Sequence, residues 1–418
     1  MKYNYKVYNI LSIFNYFYIT TLTQLSKIYD YILILYLILL NIFKKMNNLK
    51  NTIRPYQNYS LTKMLRLKFF FTLCKYNVIV NNLSKIYDTS AKILTTKGVN
   101  NLIGHLYGDI LLGGMSVTDL ENCVRIQKQE KITCISGFIR EGLTVEEEKE
   151  VIDDVIDTHI KSIDLMNKYD PENFIAIKIS CFCNKDGLKK LNELQRDLIL
   201  IEDYFHSNST DLNALKSKLI SKEAQKNIND NIEIMREKLF GNSKTKFTIN
   251  LYEIISNKEN EKLAILNKLF GDNNNYLIDY GRLIDERLHK VINHASTKKV
   301  SILMDAEESY FQNIIDNMIM HYMKIYNKDY SLLLHTIQQY LKGGPKALDE
   351  FIDFVRGHNL KFGLKMVKGA YLKIETKMAL ENGYENPVND NIEQTQDNYH
   401  KGVDKLFTIL RPDEKVTN

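Results

Sequence analysis

Gly363-Leu-Lys-Met-Val-Lys-Gly-Ala-Tyr371 decides how the rest of the chain is read. It enters as a short apolar run (Phe362, Leu364, Met366, Val367) and gives way to Lys368, Gly369, Ala370 and Tyr371. That pattern predicts a buried strand ending in a loop where the backbone comes close to something. Three earlier stretches share the form, an apolar run with one polar residue at its far end. They are Phe174-Ile-Ala-Ile-Lys178, Val300-Ser-Ile-Leu-Met-Asp305 and Leu332-Leu-Leu-His-Thr-Ile-Gln338. In a parallel barrel the C-terminal strand ends surround one pocket, so isolated polar residues at such ends are candidate ligands.

Working outward from these runs, strands and helices alternate. Ile132–Ser136 reads as a first strand, and Thr144-Val-Glu-Glu147 as a capping box opening an acidic helix to about Tyr169, stopped by Asp170-Pro171. Asn173–Cys181 is the second predicted strand, Lys299–Asp305 the third, Leu332–Gln338 the fourth and Lys361–Val367 the fifth. Gly344-Pro345 starts a helix with proline where helices accept it. The stretch 184–295 is far longer than an ordinary crossover and reads as a helical insertion, with segments Asp211–Gly241 and Ile254–Phe270. A βαβαβαβαβα order predicts a parallel sheet with right-handed crossovers. Five strands are counted, where a closed barrel of this kind needs eight.

The net charge of +5 is unevenly spread. Residues 1–87 hold twelve Lys/Arg and one acid, Asp30, while the remainder has 44 basic and 50 acidic residues. The mildly acidic body argues against a nucleic-acid surface. The basic zone includes the apolar run Tyr31–Phe43 followed by Lys44-Lys45. As a helix, that run would be about 20 Å long, shorter than a bilayer core. A second basic segment follows around Met64–Val80, and Leu25–Asp30 and Leu83–Asp88 repeat one hexapeptide. A basic, acid-poor leader suits an organelle transit sequence, and it equally suits a disordered or core-packing extension. Residues 88–130 read as a helical arm broken by a turn in the glycine-marked stretch Gly104–Gly114. Five cysteines without framework spacing suggest free thiols in a reducing compartment, and Cys181-Phe-Cys183 lacks the second pair a zinc site wants.

Alternation along the second strand places Phe174, Ala176, Lys178 and Ser180 on one face and Ile175, Ile177 and Ile179 on the other. Two readings stand for Lys178: a ligand for an anion, or a buried stem whose head reaches the rim. Asp305 reads either as a helix N-cap or as a site carboxylate, with Glu307 and Glu308 as solvated first-turn residues. His335 reads as a core residue. Gln338, with donors and an acceptor, suits a heterocycle edge. Lys365 and Lys368, three apart in an extended segment, face opposite sides. With no metal cluster and no Ser/His/Asp arrangement, these strand ends suggest an anionic or heteroaromatic ligand whose cofactor does most of the chemistry.

From about Ile132 to Phe407 the chain resembles the proline dehydrogenase family of flavoenzymes. The stretches that carry the likeness are Phe174–Ser180, Met304-Asp-Ala-Glu-Glu-Ser-Tyr-Phe311, Thr336-Ile-Gln-Gln-Tyr-Leu-Lys342, Lys365–Tyr371, and Gly383–Val388 with Tyr399-His400. The resemblance implies a (β/α)8 TIM-like barrel holding FAD, which accepts hydride at N5 from L-proline, yields Δ1-pyrroline-5-carboxylate, and passes electrons to a membrane quinone. It implies a mitochondrial location at the inner membrane. Residue by residue, it implies that Lys178 pairs with the substrate carboxylate, that Asp305 sits beside the substrate, and that Met366 and Tyr371 line the proline site. It places Gln338, Lys365, Val367, Lys368, Gly369 and Ala306 against the flavin.

The family's later Ala-Ser/Thr-His-Asn stretch and its Arg-Arg-x-x-Glu helix, which clamps the proline carboxylate, are not present in this sequence. It closes at Asn418 where the family enters a sixth strand, so the expected fold is an incomplete barrel of about five strands in residues 131–418. Family contacts from a Thr and a Lys after Val388 are not carried over, because Asp390 and Ile392 stand there. A non-catalytic flavin- or partner-binding remnant is the alternative reading, with a Schiff-base barrel using Lys178 a third.

Overall fold

The computed structural model describes residues 59–114, 116–138, 143–169, 172–207, 210–240, 249–257, 261–271 and 275–410. The apolar run Tyr31–Phe43, the Leu25–Asp30 copy of the hexapeptide, the Asp170-Pro171 stop and the C-terminal end from Arg411 lie outside them. The chain divides into two compact units, residues 1–99 and 100–418.

The described part of the first unit is helical, with α1 (Leu61–Leu73), α2 (Asn77–Asn81) and the start of α3 (Leu83–Leu111). Ser60 caps α1 by accepting from the Lys63 amide at 3.2 Å. The helix α3 is interrupted at Thr95, whose φ is +65°. Phe69, Phe71, Val78 and Ile93 are all more than half exposed in this unit. No helix among the described residues is long and apolar enough to cross a membrane.

In the second unit, α3 runs through Gly104 and Gly108, and the turn expected in the glycine-marked stretch falls at its end, at Leu112–Gly114 before α4 (Val117–Gln129). The sheet has five parallel strands in sequence order, β1 (Ile135–Gly137), β2 (Phe174–Ile177), β3 (Ser301–Met304), β4 (Leu333–Gln338) and β5 (Leu364–Val367), and it is not closed. Each strand predicted from sequence is present, and each is shorter than its apolar run. At the second strand the difference has a clear cause. The chain turns at Ile179–Cys181 into one turn of 3-10 helix whose residues are buried, so Ile179 and Cys181 are as apolar there as in a strand. Ser180 is therefore not on the face that holds Lys178. In the third run, Lys299 adopts a left-handed φ of +57° and closes the preceding helix.

The capping box is formed as the sequence predicts. Thr144 accepts from the Glu147 amide at 3.2 Å, and Glu147 accepts from the Thr144 amide at 2.9 Å, which opens α5 (Val145–Tyr169). Helices make up most of the described part of the long crossover: α6 (Lys185–His206), α7 (Leu212–Lys218), α8 (Lys222–Met235), α9 (Leu251–Ser256), α10 (Glu261–Phe270) and α11 (Asn275–Lys298). Two predicted segments are thus each divided. The first breaks at Leu219, whose extended backbone ends α7, and the second at Asn257, which ends α9. After β3 come α12 (Ser309–Tyr326), α13 (Gly344–Gly357, with Pro345 in its first turn), α14 (Leu372–Asn382) and α15 (Ile392–Leu410).

The register sorts the sheet into two faces. Neighbouring residues across parallel strands point the same way, so Ile175, Ile302 and Leu333 share one face with Ile177, Met304 and His335. All six are buried, under α5, α11, α12 and α13. Burying a full apolar side chain contributes about 1.5–3 kcal/mol, so this layer is what holds the sheet. The opposite face carries Phe174 and Ala176 on β2, Ser301 on β3, Leu334 on β4 and Lys365 on β5, all half buried, together with Leu303, Thr336 and Gln338, which are buried.

Candidate active site

The half-buried face ends, at the C-terminal tips of its strands, in polar side chains. Continuing the register past β2 and β3 sets Lys178 beside Asp305, and the Asp305 amide donates to the Ile177 carbonyl at 2.8 Å to extend the ladder. Thr336 pairs in register with Lys365, and Gln338 with Val367. The register therefore brings Lys178, Asp305, Gln338, Lys365 and Val367 to one face, with Thr336 beside them.

Specific bonds fix these groups. Lys365 Nζ lies 2.5 Å from Asp305 Oδ1 in an ion pair whose side chains are 40% and 18% exposed. Asp305 is therefore not a helix cap; α12 begins at Ser309 with Glu308 as its N-cap. Lys178 Nζ donates to the Tyr371 hydroxyl at 3.0 Å and lies 5.5 Å from that ring's centroid. Gln338 Nε2 donates to the Glu307 carbonyl at 2.9 Å, and its Oε1 accepts from Tyr340 Oη at 2.6 Å. The Thr336 hydroxyl, on a residue 3% exposed, has no hydrogen-bond partner.

The loop Asp305-Ala-Glu-Glu-Ser309 is the centre of this arrangement, and here the sequence reading needs correction. Glu307 and Glu308 are not solvated: they are 1% and 3% exposed. Glu307 Oε1 accepts from the Ser180 amide at 2.9 Å, and the Glu307 amide donates to Gln312 Oε1 at 2.9 Å. Glu308 pairs with Lys185 at 3.1 Å. Ser309 is held through its amide and its hydroxyl, each donating 2.6 Å to Glu375 on α14, a residue with no exposure. Burial pushes the Glu307 carboxyl above the ordinary carboxylate range, against the Ser180 bond and nearby Lys178. Ala306 is buried in the same loop.

Three residues expected at the site stand apart from the cluster. Met366 lies on the opposite face from Lys365 and reaches α15, where its Cε would lie 2.5 Å from a Cβ at Gly402. Strict alternation from Lys365 dictates that side, so Met366 belongs with the outer packing rather than with Tyr371. Lys368 lies over the Tyr399 ring at 4.3 Å on α15, which agrees with the expectation that the two lysines diverge. Gly369 and Ala370 form an exposed, small-residue surface beyond β5. His335 is a core residue, 3% exposed, 3.3 Å from Asp316 and with its ring tilted against Phe351.

A buried network of polar groups braces the turn after Lys178. Glu148 pairs with Arg287, and it accepts from the Asn184 amide at 3.2 Å and from Tyr280 Oη at 2.9 Å. Arg287 also donates to the Phe182 carbonyl at 2.7 Å. Burial alone would raise the Glu148 carboxyl, but Arg287, Asn184 and Tyr280 together hold it below the ordinary value.

The proline dehydrogenase family model matches residues 126–416. The chain is 36% identical over 125 residues to the mitochondrial proline dehydrogenase 1 of Drosophila melanogaster, a stretch that is 30% of this chain and 18% of that protein. It is 32% identical over 124 residues to the hydroxyproline dehydrogenase of Xenopus laevis, covering 30% of this chain and 27% of the frog protein. Among solved structures, proline utilization A from Bdellovibrio bacteriovorus aligns over 76% of this chain and 25% of that one, at 13% identity and a TM-score of 0.47.

Proposed function

The chain belongs to the proline dehydrogenase family, and from that premise we propose that it binds FAD against the half-buried face of its sheet and oxidises L-proline to Δ1-pyrroline-5-carboxylate, with a quinone as the further electron acceptor. The single observation that carries the reading is the convergence of Lys178, Asp305, Thr336, Gln338 and Lys365 on one face at the tips of neighbouring strands. These residues fit the cofactor. The Thr336 hydroxyl is buried and unpartnered. Gln338 has one N–H left after its bond to Glu307, which suits an acceptor atom of a heteroaromatic ring. FAD bound here would supply the two-electron acceptor, chemistry that no side chain of the chain offers.

The chain's own residues would do the rest. Lys178 carries the positive charge for the imino acid's carboxylate, and the Tyr371 hydroxyl holds that ammonium at the tip of β2. Lys365 places a second cation on the same face, where it would stabilise negative charge gathering on a reduced ring; Asp305 fixes its position. Phe174, Ala176, Leu334 and Val367 give the face an apolar floor on which a flat ring can lie. The mitochondrial names of several relatives and the basic leader support a mitochondrial location, with the exposed apolar residues of the first unit available to an inner-membrane surface.

The test is reconstitution of the full chain with FAD, followed by titration with L-proline and with 4-hydroxyproline. Proline should bleach the flavin's visible absorbance. Lys178→Met should raise the KM for proline by roughly 10- to 100-fold, the loss of one charge-assisted bond. Absence of bound FAD would refute the reading. FAD that binds but is not bleached by either imino acid would leave a binding remnant, and bleaching by hydroxyproline alone would overturn the substrate.

A further inference from the structure

The polar groups at the strand tips are joined in a closed ring of hydrogen bonds. Lys178 Nζ donates to Tyr371 Oη at 3.0 Å, and the Tyr371 amide donates to Tyr340 Oη at 3.3 Å. Tyr340 Oη donates to Gln338 Oε1 at 2.6 Å, and Gln338 Nε2 donates to the Glu307 carbonyl at 2.9 Å. Glu307 Oε1 then accepts from the amide of Ser180, two residues beyond Lys178. The circuit thus starts and ends at the tip of β2, passing through the tips of β5, β4 and β3.

Tyr340 occupies a distinctive place in it. The residue has no exposure, and its hydroxyl makes two bonds at once, accepting from a backbone amide and donating to a side-chain amide. The donated bond settles which way round the Gln338 amide sits. With Oε1 taken by Tyr340 and one N–H by Glu307, the group can meet a ligand only as a donor through its other N–H or through the second lone pair of its oxygen. The accepted bond anchors the backbone of Tyr371, whose hydroxyl in turn holds Lys178. We propose that Tyr340 is a positioning residue. It locks the Gln338 amide and the Tyr371 backbone in one arrangement, and so couples the side chain that faces the flavin to the pair that faces the imino acid. The flavin half of this inference rests on the function proposed above, and the ring itself does not.

Two measurements on the full chain separate these dependencies. Hydrogen exchange of the flavin-free protein, followed at residue level, should show the Tyr371 amide exchanging about three- to tenfold faster in Tyr340→Phe, with amides of α5 and α11 unchanged. Gln338→Leu approaches the same ring from the other side and should also speed the Tyr371 amide, which keeps the test open if Tyr340→Phe fails to fold. The FAD dissociation constant should rise by roughly three- to tenfold in Tyr340→Phe. In a Gln338→Leu background the same change should add nothing, because its effect acts through that amide. Equal Tyr371 exchange in wild type and both variants would overturn the proposal, as would FAD effects that simply multiply. Wild-type protein that binds no FAD would count against the proposed function alone, with the exchange measurement still deciding whether the ring exists.

Discussion

Arg287→Met is the substitution whose consequences the structure defines most fully. The guanidinium and the Glu148 carboxylate are 11% and 6% exposed, so the pair is desolvated on both sides. Methionine would fill much of the space but would leave a buried carboxylate with neutral donors only, and would free the Phe182 carbonyl, which now accepts from Arg287 at 2.7 Å. Breaking a buried pair from one side costs about 3–5 kcal/mol. In a unit spanning residues 100–418 each kcal/mol lowers the melting temperature by about 1.5 °C, so a fall of about 4–8 °C is expected. The sign with pH follows from the carboxyl itself. Glu148 is held below the ordinary value of 4.5 in the folded wild type. Its contribution is therefore present above that value and is lost as pH falls through the folded pKa. Without Arg287, burial would dominate and the carboxyl would prefer its proton, so the deficit of the variant should be largest at pH 7.5 and shrink towards pH 4. Thermal unfolding followed by circular dichroism across that range measures both. A variant within about 2 °C of wild type at pH 7.5, or a deficit that does not change with pH, would refute the reasoning. Glu148→Gln with Arg287→Met should recover part of the loss, since it removes the stranded charge.

Two further outcomes follow from particular contacts. A Cβ at Gly344 would lie 2.5 Å from the Gln338 carbonyl oxygen, whereas one at Gly402 would meet the flexible end of Met366. Gly344→Ala should therefore cost about 1–3 kcal/mol and disturb the β4 tip, with Gly402→Ala closer to neutral in urea titrations; equal costs would contradict the geometry. Glu307→Gln keeps an acceptor for the Ser180 amide while removing a charge whose burial raises the carboxyl above its ordinary value of 4.5. The wild-type carboxylate penalises the fold increasingly as pH rises from 4.5 through the higher folded pKa. The variant should therefore gain melting temperature over wild type at pH 8 and lose that advantage in acid, and an advantage that grows in acid would show the sign to be wrong.

The strand tips were legible because each combines two local signals, an apolar run and a polar residue that ends it. Lys178, Asp305 and Gln338 stand out that way, whereas Lys365 lies inside its run and stands out only through the family resemblance. Thr336 was equally available, since stepping back two residues from Gln338 stays on the same face. Met366 was misplaced for the converse reason: a strand that turns Lys365 inward must turn its neighbour outward. The loop residues are different. Glu307 and Glu308 look like first-turn carboxylates of a helix, and only partners distant in sequence make them buried, Ser180 for one and Lys185 for the other. Tyr340 gives no local sign at all, because its role depends on a backbone amide of a different strand tip. The long crossover was recognised as helical, while its breaks at Leu219 and Asn257 were missed because both are extended residues in polar, helix-compatible sequence.

Stability and chemistry are separated across the sheet. The outer face is filled mainly by apolar side chains such as Ile177, Ile302, Met304 and Leu333, each with almost no exposure, and His335 is its polar member, with Nδ1 lacking a hydrogen-bond partner. The other face accepts a half-exposed ion pair, a buried hydroxyl with no partner and a carboxyl displaced upwards by burial. Half-exposed pairs contribute about 0–1 kcal/mol, so Lys365 and Asp305 do little to hold the fold. An unpartnered buried hydroxyl works against it. These groups contribute little to the fold, and under the function proposed above they serve what meets the open side of the sheet. That is why the face with the poorer packing is the one on which the functional reading rests.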